Sequence, residues 1–106
     1  MIWTVKLTVS GGMYIPKTMK DATGIMPGDY VVYEILKVSN TTPEVKLVNV
    51  GVARKVGTSS VGVWVDRYTR DFFNLSGGDL ITIDVKEVLR GYGKDKKVVW
   101  RDVNGK

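Results

Sequence analysis

Short apolar runs separated by turn residues divide the chain, and only two brief segments show helical spacing. The runs are rich in β-branched and aromatic residues, with Gly, Ser, Asn and Pro between them, which is typical of strands joined by turns. Strands are predicted over residues 2–9, 13–15, 30–38, 45–56, 61–65, 80–89 and 96–103. Helices of about two turns are predicted after residues 15 and 65. The pattern indicates a mainly β fold with two short helices.

Capping residues agree with both predicted helices. Pro16 is predicted at the first helical position, where its missing N–H costs nothing, and Gly24 is predicted to end the first helix. Asp66 is predicted to cap the start of the second helix. Tyr68 and Phe72 are expected to form the face of the second helix that meets the core.

A Gly-Asp turn follows each helix. Pro27 and Gly28 occupy the two central places of a type II turn, and Asp29 and Asp79 end the two turns. One interpretation makes these aspartates a carboxylate pair for acid–base chemistry or metal binding. The favoured interpretation is structural, because an aspartate in such a turn accepts hydrogen bonds from nearby backbone N–H groups and no histidine is present in the chain.

The strand–helix–turn–strand stretch occurs twice, at a spacing of 50 positions without a gap. Identities at that spacing reach beyond the stretch and include Thr8/Thr58, Ser10/Ser60, Gly12/Gly62, Asp21/Asp71, Gly28/Gly78, Asp29/Asp79, Val38/Val88, Lys46/Lys96 and Val48/Val98. This register predicts two β-β-α-β-β units, residues 1–50 and 51–106, in one pseudo-two-fold domain. Because a unit of that size buries little surface alone, the two are expected to share one core.

Composition restricts the function. The 106 residues suit one domain, and 43% apolar with 25% charged residues is ordinary for a globular protein. The chain has no cysteine and no histidine, so it lacks thiolate ligands, the commonest general base and the commonest metal ligand. We therefore expect no enzyme activity and no cofactor. No apolar run is long enough to span a membrane and no signal peptide is evident, so a cytoplasmic protein without a membrane partner is expected.

The charge is unevenly spread. The net charge is +5; residues 1–50 carry five Lys and four acids, whereas residues 51–106 carry eleven Lys or Arg and seven acids. A basic excess favours an anionic partner such as nucleic acid.

The stretch around the first helix resembles the AbrB/SpoVT-type swapped-hairpin domain. The resemblance rests on the run from Gly12 to Lys17, the short basic helix, and the turn from Gly24 to Asp29. The second copy keeps several of the matching residues, namely Gly62, Val65, Arg67, Arg70, Leu75, Gly78 and Asp79, but has Asp66 in place of the proline. Members of this family are usually homodimers whose hairpins interleave into a small barrel. The resemblance, which covers almost the whole chain, therefore implies a pseudo-two-fold swapped-hairpin barrel fused into one polypeptide.

The same resemblance implies a transcriptional regulator that binds duplex DNA through a basic face. The positions that match the family's DNA contacts are Lys6, Lys17, Lys20, Arg54, Lys55, Arg67 and Arg70. Lysine and arginine near helix starts can meet phosphates, whereas arginine is the better reader of guanine edges. The first copy contains no arginine, so base reading is expected to depend on the second copy.

An alternative stays open. Double-psi barrels, including the N-terminal domains of Cdc48-type ATPases, also carry two strand–helix–Gly-Asp units in one chain, which would make this a protein-binding adaptor. Tyr14 and Trp64 are expected to face outward, and further self-association is left open. A basic cluster near the end is either a second nucleic-acid contact or, the favoured interpretation, a solvated hairpin: Arg90, Lys94, Lys96, Lys97 and Arg101.

Overall fold

Seven strands and two short helices form the part of the chain that a computed structural model describes, residues 1–103. The strands are β1 (Ile2–Lys6), β2 (Gly12–Tyr14), β3 (Tyr30–Val38), β4 (Val48–Val56), β5 (Ser60–Trp64), β6 (Leu80–Arg90) and β7 (Lys97–Arg101). The helices are α1 (Lys17–Thr23) and α2 (Arg67–Phe72), and a 3-10 turn covers Gly93–Asp95. The mainly β fold with two short helices is confirmed, and the predicted strand ends move by at most three residues.

The strands build an antiparallel sheet in which most neighbours come from opposite halves of the chain. Its order is β1-β6-β3-β4-β5-β2, and β7 also pairs with β6. Thus β1 and β3 both pair with β6, and β2 pairs with β5. Leu7 and Met13 form an isolated antiparallel bridge, which brings the end of β1 beside β2.

Two of these pairings are centred on residues 50 positions apart. Met13 lies opposite Val63 in the β2–β5 pair, and Glu34 lies opposite Asp84 in the β3–β6 pair. The two carboxylates are compensated by Lys86, whose Nζ lies 2.6 Å from Asp84 and 3.8 Å from Glu34. Corresponding positions of the two predicted units therefore face each other in the sheet.

The spacing of 50 positions is wrong for the first strand. The N–H of Leu7 donates to the carbonyl of Asp79, and the N–H of Ala53 donates in the same way to the carbonyl of Asp29. Leu7 and Ala53 are 46 positions apart, so residues before Gly12 match β4 with a shift of four. The reason is hairpin length: Leu7 pairs with Met13, six positions on, whereas Ala53 pairs with Val63, ten positions on. The identities at residues 8 and 10 therefore do not mark equivalent places.

The core lies between the inward faces of these strands and receives one side of each helix. Its buried apolar side chains come from both halves: Val5, Leu7, Met13, Ile15, Met19, Ile25, Val31, Tyr33, Ile35, Ala53, Val61, Val63, Val65, Ile81, Ile83, Val85 and Val88. Burial raises the pKa of the Tyr33 hydroxyl, which is central in this set. One continuous core thus serves the whole described chain.

The predicted core face of α2 is wrong. Tyr68 and Phe72 are 86% and 57% exposed, whereas Thr69 is buried. With only six residues, α2 brings a single position to the core, and the hydroxyl of Thr69 is satisfied there by Asp66 and Asn49. A polar residue therefore takes the inward place that the aromatic residues were expected to fill.

The helix ends follow local rules with one correction. Pro16 is extended, with φ −62° and ψ 150°, so it precedes the first helical residue rather than occupying that position. Gly24 ends α1 in the left-handed conformation at φ 71°, as predicted. Asp66 is the N-cap of α2, as predicted: its carboxylate accepts the Thr69 N–H at 3.0 Å and the Thr69 hydroxyl at 2.6 Å. Neither helix within residues 1–103 is long and apolar enough to cross a membrane.

Candidate nucleic-acid interface

The two Gly-Asp turns are structural, as favoured from the sequence. Gly28 and Gly78 adopt φ +95° and +96°, the left-handed geometry of a type II turn. The Asp29 carboxylate accepts the N–H of Met26 at 2.8 Å, and the Asp79 carboxylate accepts the N–H of Ser76 at 2.8 Å. Both aspartates are therefore held by their own turns.

Arg90 makes the first turn different from the second. Its guanidinium donates twice to the buried Asp29 carboxylate, at 2.8 Å from both Nε and Nη2, and also to the carbonyl of Gly24 at 3.2 Å. The hydrogen bonds that Arg90 donates to the Asp29 carboxylate raise the pKa of Arg90. Arg90 lies in the β6–β7 hairpin opposite Lys97 and is 46% exposed, as expected, but its ion pair with Asp29 was not predicted. The spacing of 50 positions offered a signal, because Asn40 stands at the corresponding place and cannot supply this charge.

The outward side of four adjacent strands forms a continuous face, which we call the hairpin surface. It consists of β4, β5, β2 and the end of β1, and its outward side chains include Arg54, Trp64, Tyr14 and Lys6. The strand neighbours of these residues, such as Met13, are buried, so alternation along each strand directs this set to solvent.

Trp64 is fixed at the centre of the hairpin surface by two glycines. A Cβ on Gly12 would lie 2.9 Å from the Trp64 ring, and a Cβ on Gly62 would lie 2.8 Å from it. The indole N–H donates to the hydroxyl of Ser10 at 3.2 Å, and the guanidinium carbon of Arg54 lies 6.0 Å from the ring centroid. The Trp64 ring therefore packs on the two glycines, is hydrogen-bonded at its edge to Ser10, and has the Arg54 guanidinium above its face.

Tyr14 is less constrained than Trp64. It is 49% exposed, and its ring lies 6.2 Å from that of Trp64 with an interplanar angle of 59°. Its other side borders a groove of about 700 Å³, whose lining includes Thr4, Lys6, Thr8, Val9, Tyr14 and Gly77. The hairpin surface thus combines one fixed aromatic ring with one that opens onto a groove.

The hairpin surface lies in segments that contain no acidic residue. None of the 11 Asp and Glu residues of the chain falls within residues 2–14 or 48–64, which carry Lys6, Arg54 and Lys55. Of these three cations, Lys6 and Arg54 lie on the hairpin surface, and cations without acidic neighbours along the same segments favour an anionic partner.

Four of the predicted DNA-contacting residues lie on or beside this face. Lys6 and Arg54 belong to it, and Lys17 and Arg67 are the first residues of the helices that lead off from opposite ends of the β2–β5 pair. The side chains of Lys17 and Arg67 are 87% and 84% exposed, with Asp21 at 3.0 Å and Asp71 at 3.8 Å as surface ion-pair partners. Exposed ion pairs of this kind contribute about 0–1 kcal/mol to stability, so Lys17 and Arg67 can exchange these partners for another anion at little cost.

The other three predicted residues are placed differently. Lys20 donates to the carbonyl of Ser59 at 2.8 Å, and Arg70 lies over Gly11, where a Cβ would be 2.8 Å from its Cδ. Each helix thus reaches the hairpin turn of the opposite half. The Nε of Arg70 is buried without a hydrogen-bond partner among residues 1–103. Lys55 pairs with the inward Val61 and so faces away from the hairpin surface.

A second exposed feature is apolar and was missed from the sequence. Val48, Val50 and Val52 are 64%, 64% and 42% exposed on the outward side of β4. The inward positions of this strand are taken by Gly51 and Ala53. Close packing explains this, because a Cβ on Gly51 would lie 2.5 Å from Val63. We call these three residues the valine strip.

Comparisons with known proteins support the fold and leave the function open. No protein-family model matches the chain, and no curated protein matches it. The solution structure of PHS018 from Pyrococcus horikoshii is similar, with a TM-score of 0.64 and 21% identity over 87% of this chain and 95% of that chain. At this identity the likeness concerns the fold alone, so membership of the AbrB/SpoVT-type family stays a prediction.

Proposed function

We propose that this protein binds duplex DNA through the hairpin surface and the helix starts at its two ends, and that it acts as a transcriptional regulator. The observation that carries the proposal is the acid-free pair of hairpins, whose outward side presents Lys6 and Arg54 around two aromatic rings. Lysine and arginine that converge on one face supply the phosphate contacts on which most DNA affinity depends.

The proposal includes the finer architecture, a pseudo-two-fold swapped-hairpin barrel of two units, residues 1–50 and 51–106. Its support is the pairing of Met13 with Val63 and of Glu34 with Asp84, each 50 positions apart. The bridge between Leu7 and Met13, which joins the two ends of the strand order, supports closure.

DNA contact by this face is expected to be lopsided. Arg54, whose guanidinium lies over the Trp64 ring, has the fork geometry that suits guanine, whereas the residue with equivalent strand geometry in the first half is Thr8. Lys20 and Arg70, although predicted to contact DNA, are assigned here to bracing the hairpin turns. The residues proposed to contact DNA are therefore Lys6, Lys17, Arg54 and Arg67.

Salt-dependent binding tests the proposal. A triple variant, Lys17→Gln/Arg54→Gln/Arg67→Gln, should bind duplex DNA more weakly and lower the slope of log K against log salt by about 0.9 per lost contact. Fluorescence anisotropy with a labelled duplex between about 50 and 200 mM salt measures both quantities.

A matched control removes the same charge elsewhere. Lys37, Lys94 and Lys97 are exposed and lie off the hairpin surface, so their triple replacement by Gln should leave the slope close to that of the parent protein. Equal losses in the two triple variants would show that net charge alone, and not this face, binds DNA.

The second candidate is a non-enzymatic protein-binding domain of the double-psi kind, and the valine strip favours it. Exposed apolar side chains in a row are typical of protein contact surfaces. Absence of duplex binding at low salt, together with a partner protein whose binding is lost in Val50→Lys and kept in the Lys17/Arg54/Arg67 variant, would select this candidate.

A further inference from the structure

The two aromatic rings of the hairpin surface differ in how much of each ring is already in contact with the rest of the protein. Trp64 covers the space above Gly12 and Gly62, and its indole N–H is bonded to Ser10. Tyr14 lies opposite Gly62 in the β2–β5 pair, but the Trp64 ring occupies the space above that glycine. Tyr14 is therefore displaced toward the groove, with about half of its surface exposed.

The groove beside Tyr14 has the size and lining of a ligand site. Its volume of about 700 Å³ falls within the range of roughly 300–1,000 Å³ that is usual for ligand clefts. Tyr14 supplies an aromatic wall, Val9 an apolar one, and Thr4 and Thr8 supply hydroxyl groups. Lys6 is the charged residue of this lining, and none of the lining residues is acidic.

Charge and ring geometry together select the class of ligand. An aromatic ring with an open face stacks on any nucleobase, and base–aromatic stacking tolerates all sequences. A lysine beside that ring can meet the phosphate of the same nucleotide. In a paired duplex the bases are stacked on one another, so only an unpaired base can enter such a groove.

We propose that the groove beside Tyr14 is a stacking site for one unpaired nucleobase, with Lys6 on the adjacent phosphate. This inference rests on the proposed DNA-binding function and makes it more specific: duplex that carries an unpaired base is preferred over perfectly paired duplex. Tyr14 provides the preference, and the cations of the hairpin surface provide the affinity common to both.

Two labelled duplexes that differ only by one unpaired thymine at the centre test the preference by anisotropy. The parent protein should bind the bulged duplex about tenfold more tightly, the order of magnitude of one base–aromatic stack. Tyr14→Leu should abolish this ratio, and Tyr14→Phe should preserve it because the ring remains. With 2-aminopurine as the unpaired base, the parent protein should quench its fluorescence and Tyr14→Leu should not.

Tyr68→Leu is the matched control, since Tyr68 is 86% exposed on α2 and lies outside the groove lining. It should keep the tenfold ratio. The inference alone is overturned if the parent protein binds both duplexes equally, or if Tyr14→Leu weakens both to the same extent. Absence of binding to either duplex overturns the proposed function as well.

Discussion

At the scale of single residues, two glycines decide what the hairpin surface presents. Gly12 and Gly62 stand opposite Trp64 and Tyr14 in the β2–β5 pair, and the indole ring occupies the place of both missing side chains. Neither glycine has a positive φ, so glycine is required here for space and not for backbone conformation. The space left by the two glycines therefore determines the position of the Trp64 ring, and this in turn leaves Tyr14 exposed.

Gly62→Ala should lower the free energy of unfolding by about 1–3 kcal/mol, because the new methyl group would lie 2.8 Å from the Trp64 ring. The same change in a Trp64→Leu background should cost much less, since the smaller side chain leaves room. Urea denaturation of the four proteins in this cycle measures the coupling. An equal cost in both backgrounds would mean that Trp64 is not the obstacle.

Residues with a purely local role were predictable, and those whose role depends on distant contacts were not. The left-handed Gly24 and the cap at Asp66 follow from short-range geometry, and the structure confirms both. Arg90 was missed because its partner, Asp29, is 61 positions away in the chain. The contacts of Lys20 and Arg70 with the hairpin turn of the other half were not predicted for the same reason.

At the scale of elements, α2 depends on its cap. The hydrogen bond from the Thr69 hydroxyl is the main cause that lowers the pKa of Asp66, and the Thr69 N–H contributes in the same direction. A lowered pKa in the folded state means that the cap contributes its full stability above about pH 4, the ordinary value for an unfolded aspartate. That contribution is lost as the pH falls through the folded pKa.

Asp66→Ala should lower the free energy of unfolding at pH 7 by about 1 kcal/mol, the usual value of an N-cap. Asp66→Asn keeps a capping oxygen, so its cost should be smaller. The difference between the parent protein and Asp66→Asn should shrink as the pH is lowered from about 5 to 3, because the carboxylate becomes neutral. Thermal melts at several pH values would contradict this if the difference stayed constant.

The orientation of α2 could not be predicted from its pattern of apolar residues. The short length of α2 was predicted, yet Tyr68 and Phe72 were assigned to the core and are exposed. In a helix of six residues the apolar pattern has too few turns to define a face, so the tertiary contacts decide. Here Thr69 is the residue of α2 that is buried, and its hydroxyl donates a partly buried hydrogen bond to Asn49.

At the scale of the whole molecule, neither half of the chain contains its own sheet. The partners of β1 and β2 are β6 and β5, and the longest pairing, β3 with β6, also joins the two halves. The repeated turn and strand residues predicted that the two halves share one core. The sheet agrees, because its strands from the two halves pair with each other. The four-residue shift of β1 relative to β4 was not foreseeable, because identities such as Thr8/Thr58 pointed to the wrong register.

A fragment of residues 1–50 should therefore not fold as a monomer, since its strands lose β5 and β6. Its ¹H–¹⁵N spectrum should show the narrow dispersion of an unfolded chain, and addition of residues 51–106 should restore dispersion. A well-dispersed spectrum from the monomeric first fragment would contradict the assignment of one core to both halves.

The central place of β6 also has a consequence for biosynthesis. This strand, Leu80–Arg90, is the partner of β1, β3 and β7. Because a nascent chain emerges from its N-terminal end at about 5–20 residues per second, β1 and β3 leave the ribosome several seconds before their common partner exists. During that interval β1 and β3 lack the strand with which both pair, so the sheet cannot be completed until β6 has been synthesised.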